Sequence, residues 1–351
     1  MTSISIAMGT FNGARFLSDQ LNSLAGQTLL PVELQIGDDG STDETVQIIT
    51  EFARTAPFAV TLLRNGSNLG YGENFLQTAR RCRGEWVAFC DQDDIWLPNK
   101  LQCISDTIQH SPNDLQLVVH AATITNAAND TIGRLDTPEN GLYNRLSMPP
   151  EWVCQGFHQV FRRSLLDRFA TENRTMPWHI HPDAHDTWTC LYAGIAGDII
   201  VISDLLVQYR RHETNTTVAV GVDRQSSINR IFATFSDNAD HYCQIANVYR
   251  DIAHYLRARA GTSPIASSDA LLGEAEIAVA AYGQQLDSRA QVYRGQTLTG
   301  RFRAFRSLFD AGSYRTDHRW SFGPKAAIKD FLGMLKPRLR SSDKRPSLPN
   351  Q

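Results

Sequence analysis

The chemistry-bearing residues of this 351-residue chain are most concentrated at Asp91, Asp93 and Asp94, which directly follow the apolar run Trp86-Val87-Ala88-Phe89-Cys90. That run reads as a buried strand. Clustered carboxylates repel one another unless a cation or hydrogen-bond donors satisfy them. Asp91 and Asp93, alternate residues of an extended segment, face the same side. They can share a hard divalent ion whose remaining positions are filled by diphosphate oxygens. An Asp-rich turn that caps the helix after Pro98 is the plainer alternative. A second acidic pair, Asp38 and Asp39, closes the apolar segment 32–37. A carboxylate in that position can accept from a ribose hydroxyl or a base N–H. Ser41 and Glu44 have the spacing of a capping box for a helix over 45–54. That accounts for Ser41, Thr42 and Asp43 but not for the Asp pair.

These residues need a frame that brings strand ends together. Residues 3–9 read as a strand, 10–13 as a turn, 14–27 as a helix and 32–37 as a second strand. Strand, helix and strand in so short a span make a crossover unit with parallel strands. A third strand is expected over 60–64 and a helix over 73–81, before the fourth strand at 86–90. The stretch 65–72 between them carries three glycines, Gly66, Gly70 and Gly72. It is either a loop that lets backbone approach a ligand or simply a long connection. The expectation is an α/β fold whose mostly parallel sheet collects Asp- and Asn-rich turns along one edge, where ligands sit. Neither G-x-G-x-x-G nor G-x-x-x-x-G-K-[ST] is present, which argues against a dinucleotide fingerprint and a P-loop.

The bulk numbers narrow the class. A net charge of −3 is not that of a chain built for nucleic acid. The hydrophobic share of 42% and charged share of 20% suit a globular protein, and no apolar run approaches the roughly 20 residues of a membrane span. The first residues enter a strand pattern with no basic leader. Six cysteines stand singly with no C-x-x-C, so reduced thiols in a cytoplasmic protein are expected, with neither zinc site nor disulfide framework.

The motifs Ser5–Gly13, Asp38-Asp39-Gly40-Ser41-Thr42-Asp43, Asn68-Leu69-Gly70 and Asp91-Gln92-Asp93-Asp94-Ile95-Trp96 occur in this order. In order and spacing they are similar to family 2 glycosyltransferases of the GT-A fold, and most resemble the rhamnosyltransferase-like branch that builds bacterial surface polysaccharides. The resemblance covers roughly residues 3–215. It implies that Thr10 and Asn12 line the nucleotide, that Asp38 and Asp39 meet base or ribose, and that Asp91 holds the ribose. It implies that Asp93 binds Mg²⁺ or Mn²⁺, and that His185-Asp186-Thr187-Trp188 carries the catalytic base, Asp186. An ordinary helix N-cap is the alternative for Asp186. Tyr209-Arg210-Arg211-His212 is similar to a further family element. His212 could add a metal ligand or a diphosphate contact, and Arg210 and Arg211 could bind phosphate oxygens. A solvated basic strand end is the alternative. His120-Ala121-Ala122 departs from relatives, which often carry an acid there. His158 reads as structural.

The implied function is an inverting, metal-dependent transfer of a sugar from a nucleoside diphosphate, dTDP-rhamnose or a UDP-sugar. The acceptor would be a hydroxyl of a growing, lipid-linked glycan at the inner face of the plasma membrane. A sugar nucleotidyltransferase would want a basic, glycine-rich loop after strand one, and residues 9–13 hold no Lys or Arg. A non-catalytic nucleotide-sugar binder is the other rival.

A catalytic domain is expected over 1–217, with a nucleotide-sugar half to about 110 and an acceptor half beyond. Strands are expected at 115–119, 155–163, 199–202 and 205–209, and a polar hairpin or loop over 123–144. Two helices over 228–260 and 267–293 should form a hairpin within an appendage at 218–300. The hairpin would pack on the catalytic domain or on a second copy in a homo-oligomer. From 301 to 345 basic residues outnumber acidic ones about three to one. Phe302, Phe305, Leu308 and Phe309 lie near one helical face among arginines. Two readings fit: an interfacial helix giving peripheral membrane contact through 300–345, or a core-packed helix with a basic outer face. Residues 341–351 read as a disordered tail.

Overall fold

A computed structural model describes residues 2–135, 137–149, 154–176, 183–213, 215, 239–316 and 320–335. The expected tail and the start of the helix expected from 228 lie outside these. The first strands are β1 (Ile4–Thr10), β2 (Glu33–Asp38), β3 (Ala59–Arg64) and β4 (Trp86–Cys90), parallel in the order β3-β2-β1-β4. Helices α1 (Ala14–Ala25), α2 (Thr45–Ala53) and α3 (Tyr71–Arg80) make the crossovers. β4 is buried at every residue, as a strand covered on both faces must be. Gly37 lets α3 lie close: a Cβ there would come within 2.2 Å of Thr78 Oγ1 and 2.3 Å of Asn74 Oδ1.

The sheet continues through the second half. β5 (Ile95–Trp96), helix α4 (Lys100–Gln109), β6 (Leu115–Thr125), β7 (Thr131–Leu135), β8 (Gly141–Tyr143), β9 (Gln159–Arg162) and β10 (Asp198–Arg210) follow in sequence. In space the order beyond β4 is β9-β6-β10-β5. β9 runs antiparallel between β4 and β6, while β6 and β10 are parallel. Two sequence expectations are corrected here. The segment 155–163 is not all strand: Gly156–His158 is a 3₁₀ turn closed by His158 N–H to Gln155 O at 3.1 Å. The strands expected at 199–202 and 205–209 are one strand, bent by register shifts between Ile202 and Val207.

Helices α5 (Leu165–Arg168) and α6 (His185–Ala196) cover this half. Then α7 (Ala239–Arg259) and α8 (Ala266–Arg294) pair as a hairpin. Trp188 and Tyr192 of α6 share one hydrophobic cluster with Tyr249, Ile252 and Leu256 of α7 and Val279 of α8. The hairpin therefore extends the same core. The basic segment after 300 forms two helices, α9 (Leu298–Asp310) and α10 (Gly323–Leu335).

One buried carboxylate fixes α10. Asp330 is fully buried and accepts from Arg289 at 2.8 and 3.2 Å, from Tyr314 Oη at 2.9 Å and from Tyr293 Oη. Removing one partner of such a pair strands the other charge in the interior, at a cost of about 3 kcal/mol or more. Asp330→Ala should therefore lower the unfolding free energy obtained from urea titration by about that amount. Asp310→Ala, in the exposed pair with Arg306, should leave it nearly unchanged.

Candidate active site

The loops at the C-terminal edge of the sheet are tied to one another side chain by side chain. Asn12 sits in the left-handed region (φ 48°), which Asn tolerates better than most residues. Its Oδ1 accepts from Thr42 N at 2.9 Å, and its own N–H donates to Ser41 Oγ at 2.9 Å. Gly13 N donates to Thr45 Oγ1 and Ala14 N to Asp43 Oδ2. Asp38 is buried and accepts from Thr10 Oγ1 at 3.1 Å, Ser41 N at 3.0 Å and Ser41 Oγ. The capping box expected at Ser41 and Glu44 therefore does not form. α2 begins at Thr45, with Glu44 at its N-cap and no side-chain cap, because Ser41 turns to Asp38 instead. Asp39 accepts from Leu69 N (2.8 Å), Gly70 N (3.0 Å) and Asn65 Nδ2 (3.0 Å), which pins the glycine-bearing loop after β3. Gln92 reads the Phe11 backbone as a strand would, accepting its N–H at 2.9 Å and donating to its O at 3.1 Å.

The acidic cluster stands at the end of β4. Asp94 is fully buried; one oxygen accepts from Arg210 N at 3.0 Å and the other has no partner among the described residues. Burial and the charges of Asp93 and Asp91 push its carboxyl well above the usual range. Beneath lies Lys100, fully buried. Its Nζ donates to Phe157 O at 2.9 Å and stands 3.6 Å from the Trp96 ring centroid. Burial pulls its ammonium down to about 7 against the pull of Cys90, Asp94 and Asp91. Asp93 meets His212 Nε2 at 2.9 Å, with Asn215 Nδ2 at 3.5 Å. His212 packs on the Phe16 ring. The Asp91 side chain receives no hydrogen bond among the described residues. Removal from water, then the charges of Asp93 and Asp186, push it up to about 8.

Asp186, on α6, lies near enough for its charge to raise the proton affinity of Asp91. It lies inside the first turn rather than at the N-cap, which is Ala184, and its Oδ1 accepts from Thr187 N at 2.7 Å. The simple N-cap alternative therefore does not describe it. The neighbouring His185 is sandwiched by Phe75 (4.2 Å) and Phe89 (4.6 Å), and burial lowers it to about 4. Gly156 makes room for it, since a Cβ there would lie 2.4 Å from His185 Nε2. Tyr71 of α3 lies beside the cluster; burial, then Asp186, Asp183 and Asp91, raise its phenol.

The segment leading to Asp186 is held from two sides. Arg174 donates to Glu73 of α3 at 2.6 Å and to Asp183 O at 3.0 Å. From α7, Arg259 donates to Ala170 O (2.7 Å), Glu172 O (2.7 Å) and Asn173 O (3.2 Å).

Asp91, Asp93, His212 and Asp186 are thus brought together, while Thr10, Asp38 and Asp39 are engaged in bracing the loops. Arg210 stands apart from the expected phosphate role. Its guanidinium is buried, donates to Asp19 at 3.0 Å and stacks on Phe16 at 4.6 Å. His120 is buried, and burial and then Lys100 keep it neutral. His158 is likewise buried, its Nδ1 donating to His120 O. Lys100, Gln92, Tyr71 and Arg174 escaped the sequence reading. A lone Lys six residues past an acidic run, at the start of a helix, was the available signal for Lys100.

Asp93 and His212 fit one side of a hard divalent cation, and Asp91 offers a carboxylate with no protein donor to replace one. Among the described residues no three His, Cys, Asp or Glu side chains form a cage. Such a half-shell suits Mg²⁺ or Mn²⁺ completed by water and phosphate oxygens better than a closed structural site.

A mostly parallel sheet with acidic loops on its C-terminal edge, extended by mixed strands, defines a GT-A fold. Residues 5–169 match glycosyl transferase family 2, and this part of the chain belongs to that family. An uncharacterized glycosyltransferase of Nostoc sp. is 37% identical over 223 residues, 60% of this chain and 66% of that protein. The UDP-Glc:alpha-D-GlcNAc-diphosphoundecaprenol beta-1,3-glucosyltransferase WfgD of Escherichia coli is 30% identical over 168 residues, 48% of this chain and 63% of that protein. The chain thus spans about two thirds of these relatives' lengths. Among solved structures, S. aureus TarS in complex with UDP-GlcNAc shares the fold with TM-score 0.52 and 16% identity, over 95% of this chain and 82% of that one.

The Asp91 carboxyl carries a consequence for stability. Its folded value, near 8, lies above an ordinary aspartate's, so the folded state holds the proton more tightly than the unfolded chain. Stability of the metal-free protein should be greatest below about pH 4 as far as this group is concerned, and fall as pH rises toward 8. Asp91→Asn should flatten that decline in melting temperature between pH 5 and 8.5, measured by scanning fluorimetry in chelator.

Proposed function

We propose that the chain is a divalent-metal-dependent, inverting glycosyltransferase that uses a nucleoside-diphosphate sugar. The observation that carries this reading is the convergence of Asp91, Asp93 and Asp186, from two elements, on one edge of a family 2 sheet.

In this reading the donor's nucleoside lies along the loop edges around Asn12, Thr42 and 65–70. Asp38 and Asp39 act as posts for those loops, and Asp91 accepts from the ribose. Asp93 and His212 hold Mg²⁺ or Mn²⁺. When bound, the cation neutralises charge that develops on the departing diphosphate. Asp186, across the cluster, takes the proton of the acceptor hydroxyl as that oxygen attacks the anomeric carbon. A single displacement with base and leaving group on opposite faces inverts the configuration. Family 2 relatives and the TarS complex act on or bind UDP-sugars, which supports a UDP-sugar donor; the rhamnosyltransferase-like motifs support dTDP-rhamnose. A lipid-linked glycan acceptor is supported by the named acceptor of the E. coli relative. Among the described residues no helix is long and apolar enough to cross a membrane.

Calorimetric titration with UDP, dTDP and GDP, with and without Mn²⁺, tests the site. One nucleotide should bind with strong Mn²⁺ dependence, and Asp93→Ala should weaken that binding by more than about tenfold. Unchanged, metal-dependent binding by this variant would sink the metal assignment. Asp186→Asn should bind the nucleotide normally and lose donor turnover by about 10²-fold or more. Normal turnover would remove Asp186 as the base.

A further inference from the structure

Among the described residues, seven of the seventeen exposed large apolar side chains sit on α9 and α10. On α9 they are Leu298, Phe302 and Phe309, exposed by 53, 50 and 65%, with the half-buried Phe305 between them. Their spacing of four, three and four places them in one stripe. Leu308, at the side of this stripe, packs inward on Val292, Tyr314 and Met334. On α10 the exposed side chains are Ile328, Phe331, Leu332 and Leu335, again one stripe. The opposite side of α10 carries Asp330, Gly333 and Met334, all buried. The Phe305 and Phe331 rings lie 5.7 Å apart, so the two stripes join into one face.

Apolar faces of this kind mark an interaction site on a globular protein. The charge around the face selects its occupant. Arg301, Arg303, Arg306, Arg315, Lys325 and Lys329 belong to this region, against Asp310 and the buried Asp330. A second copy of the chain would bring like charges together at the rim. An anionic surface that also accepts apolar side chains does not. We propose that the joined face of α9 and α10 docks on an anionic lipid surface, with its Phe and Leu side chains entering the headgroup boundary and the arginines and lysines reaching lipid phosphates. This inference rests on the surface of two helices and not on donor chemistry, so it and the enzymatic reading fail separately.

Flotation of the full chain with phosphatidylcholine vesicles, with and without phosphatidylglycerol, is the test. The wild type should float with the anionic vesicles, and at least tenfold less with the neutral ones or in about 0.5 M salt. The double variant Phe309→Ser, Leu332→Ser removes only exposed side chains. It should keep its circular dichroism and lose flotation about tenfold. Arg303→Glu with Arg306→Glu, which leaves the apolar stripe whole, should lose it too. Flotation of both variants equal to wild type overturns the proposal. So does a wild type that ignores every vesicle, including one that sediments as a dimer broken by the same Ser substitutions, which would give the face to a second copy.

Discussion

Like charges at the end of β4 are the constraint to which much of the second half answers. The charges of Asp93 and Asp186 raise the proton affinity of Asp91, and those of Asp93 and Asp91 raise that of Asp94, so the cluster needs accommodation. Asp94 takes the backbone N–H of Arg210, which requires β10 to arrive beside it. β5 supplies the Trp96 ring on which Lys100 rests, and the 3₁₀ turn supplies the carbonyl that Lys100 needs. Asp93 takes His212, beyond β10. What remains is Asp91, whose side chain receives no protein donor among the described residues. Asp94 and Asp93 are thus met by groups of the protein, while Asp91 is not.

Much of this frame was legible in the sequence because its signals are local. The alternation of strand and helix, the Asp-rich strand ends and the order of motifs all lie within short windows, and the parallel direction of β1 to β4 followed from them, though not their spatial order β3-β2-β1-β4. The roles of individual polar residues were not legible, since they depend on partners far along the chain. Ser41 had a cap partner three residues away by spacing, yet Asp38 outcompeted it. Arg210 has the right chemistry for phosphate, but Asp19, nearly two hundred residues earlier, takes it. Lys100 carried no motif at all. The bend in β10 likewise arises from pairing with β6, which periodicity cannot report.

The stripe of phenylalanines was open to either a packed or an interfacial helix. α9 is packed on one side and leaves apolar side chains exposed on another: Leu308 faces the core while Phe302 and Phe309 face outward. The periodicity located the amphipathic character correctly, but only Asp330, held by Arg289 from α8, decides which side of α10 turns inward. A polar residue buried by three donors orients a helix more sharply than apolar side chains do, because rotating it out of place leaves charges unpaired.

Arg259 gives the appendage a different standing from that of a bolted-on module. It grips three carbonyls in the turn that also carries Arg174, and Arg174 in turn holds the backbone that leads into α6. The sheet and its acidic loops therefore do not contain their own complete scaffold: the turn that leads toward α6 is anchored from α7. A fragment ending before Ala239 would keep every acidic motif and still leave those carbonyls to water. Conversely, a force borne by α7 or by the paired α8 has a continuous mechanical route to the start of α6.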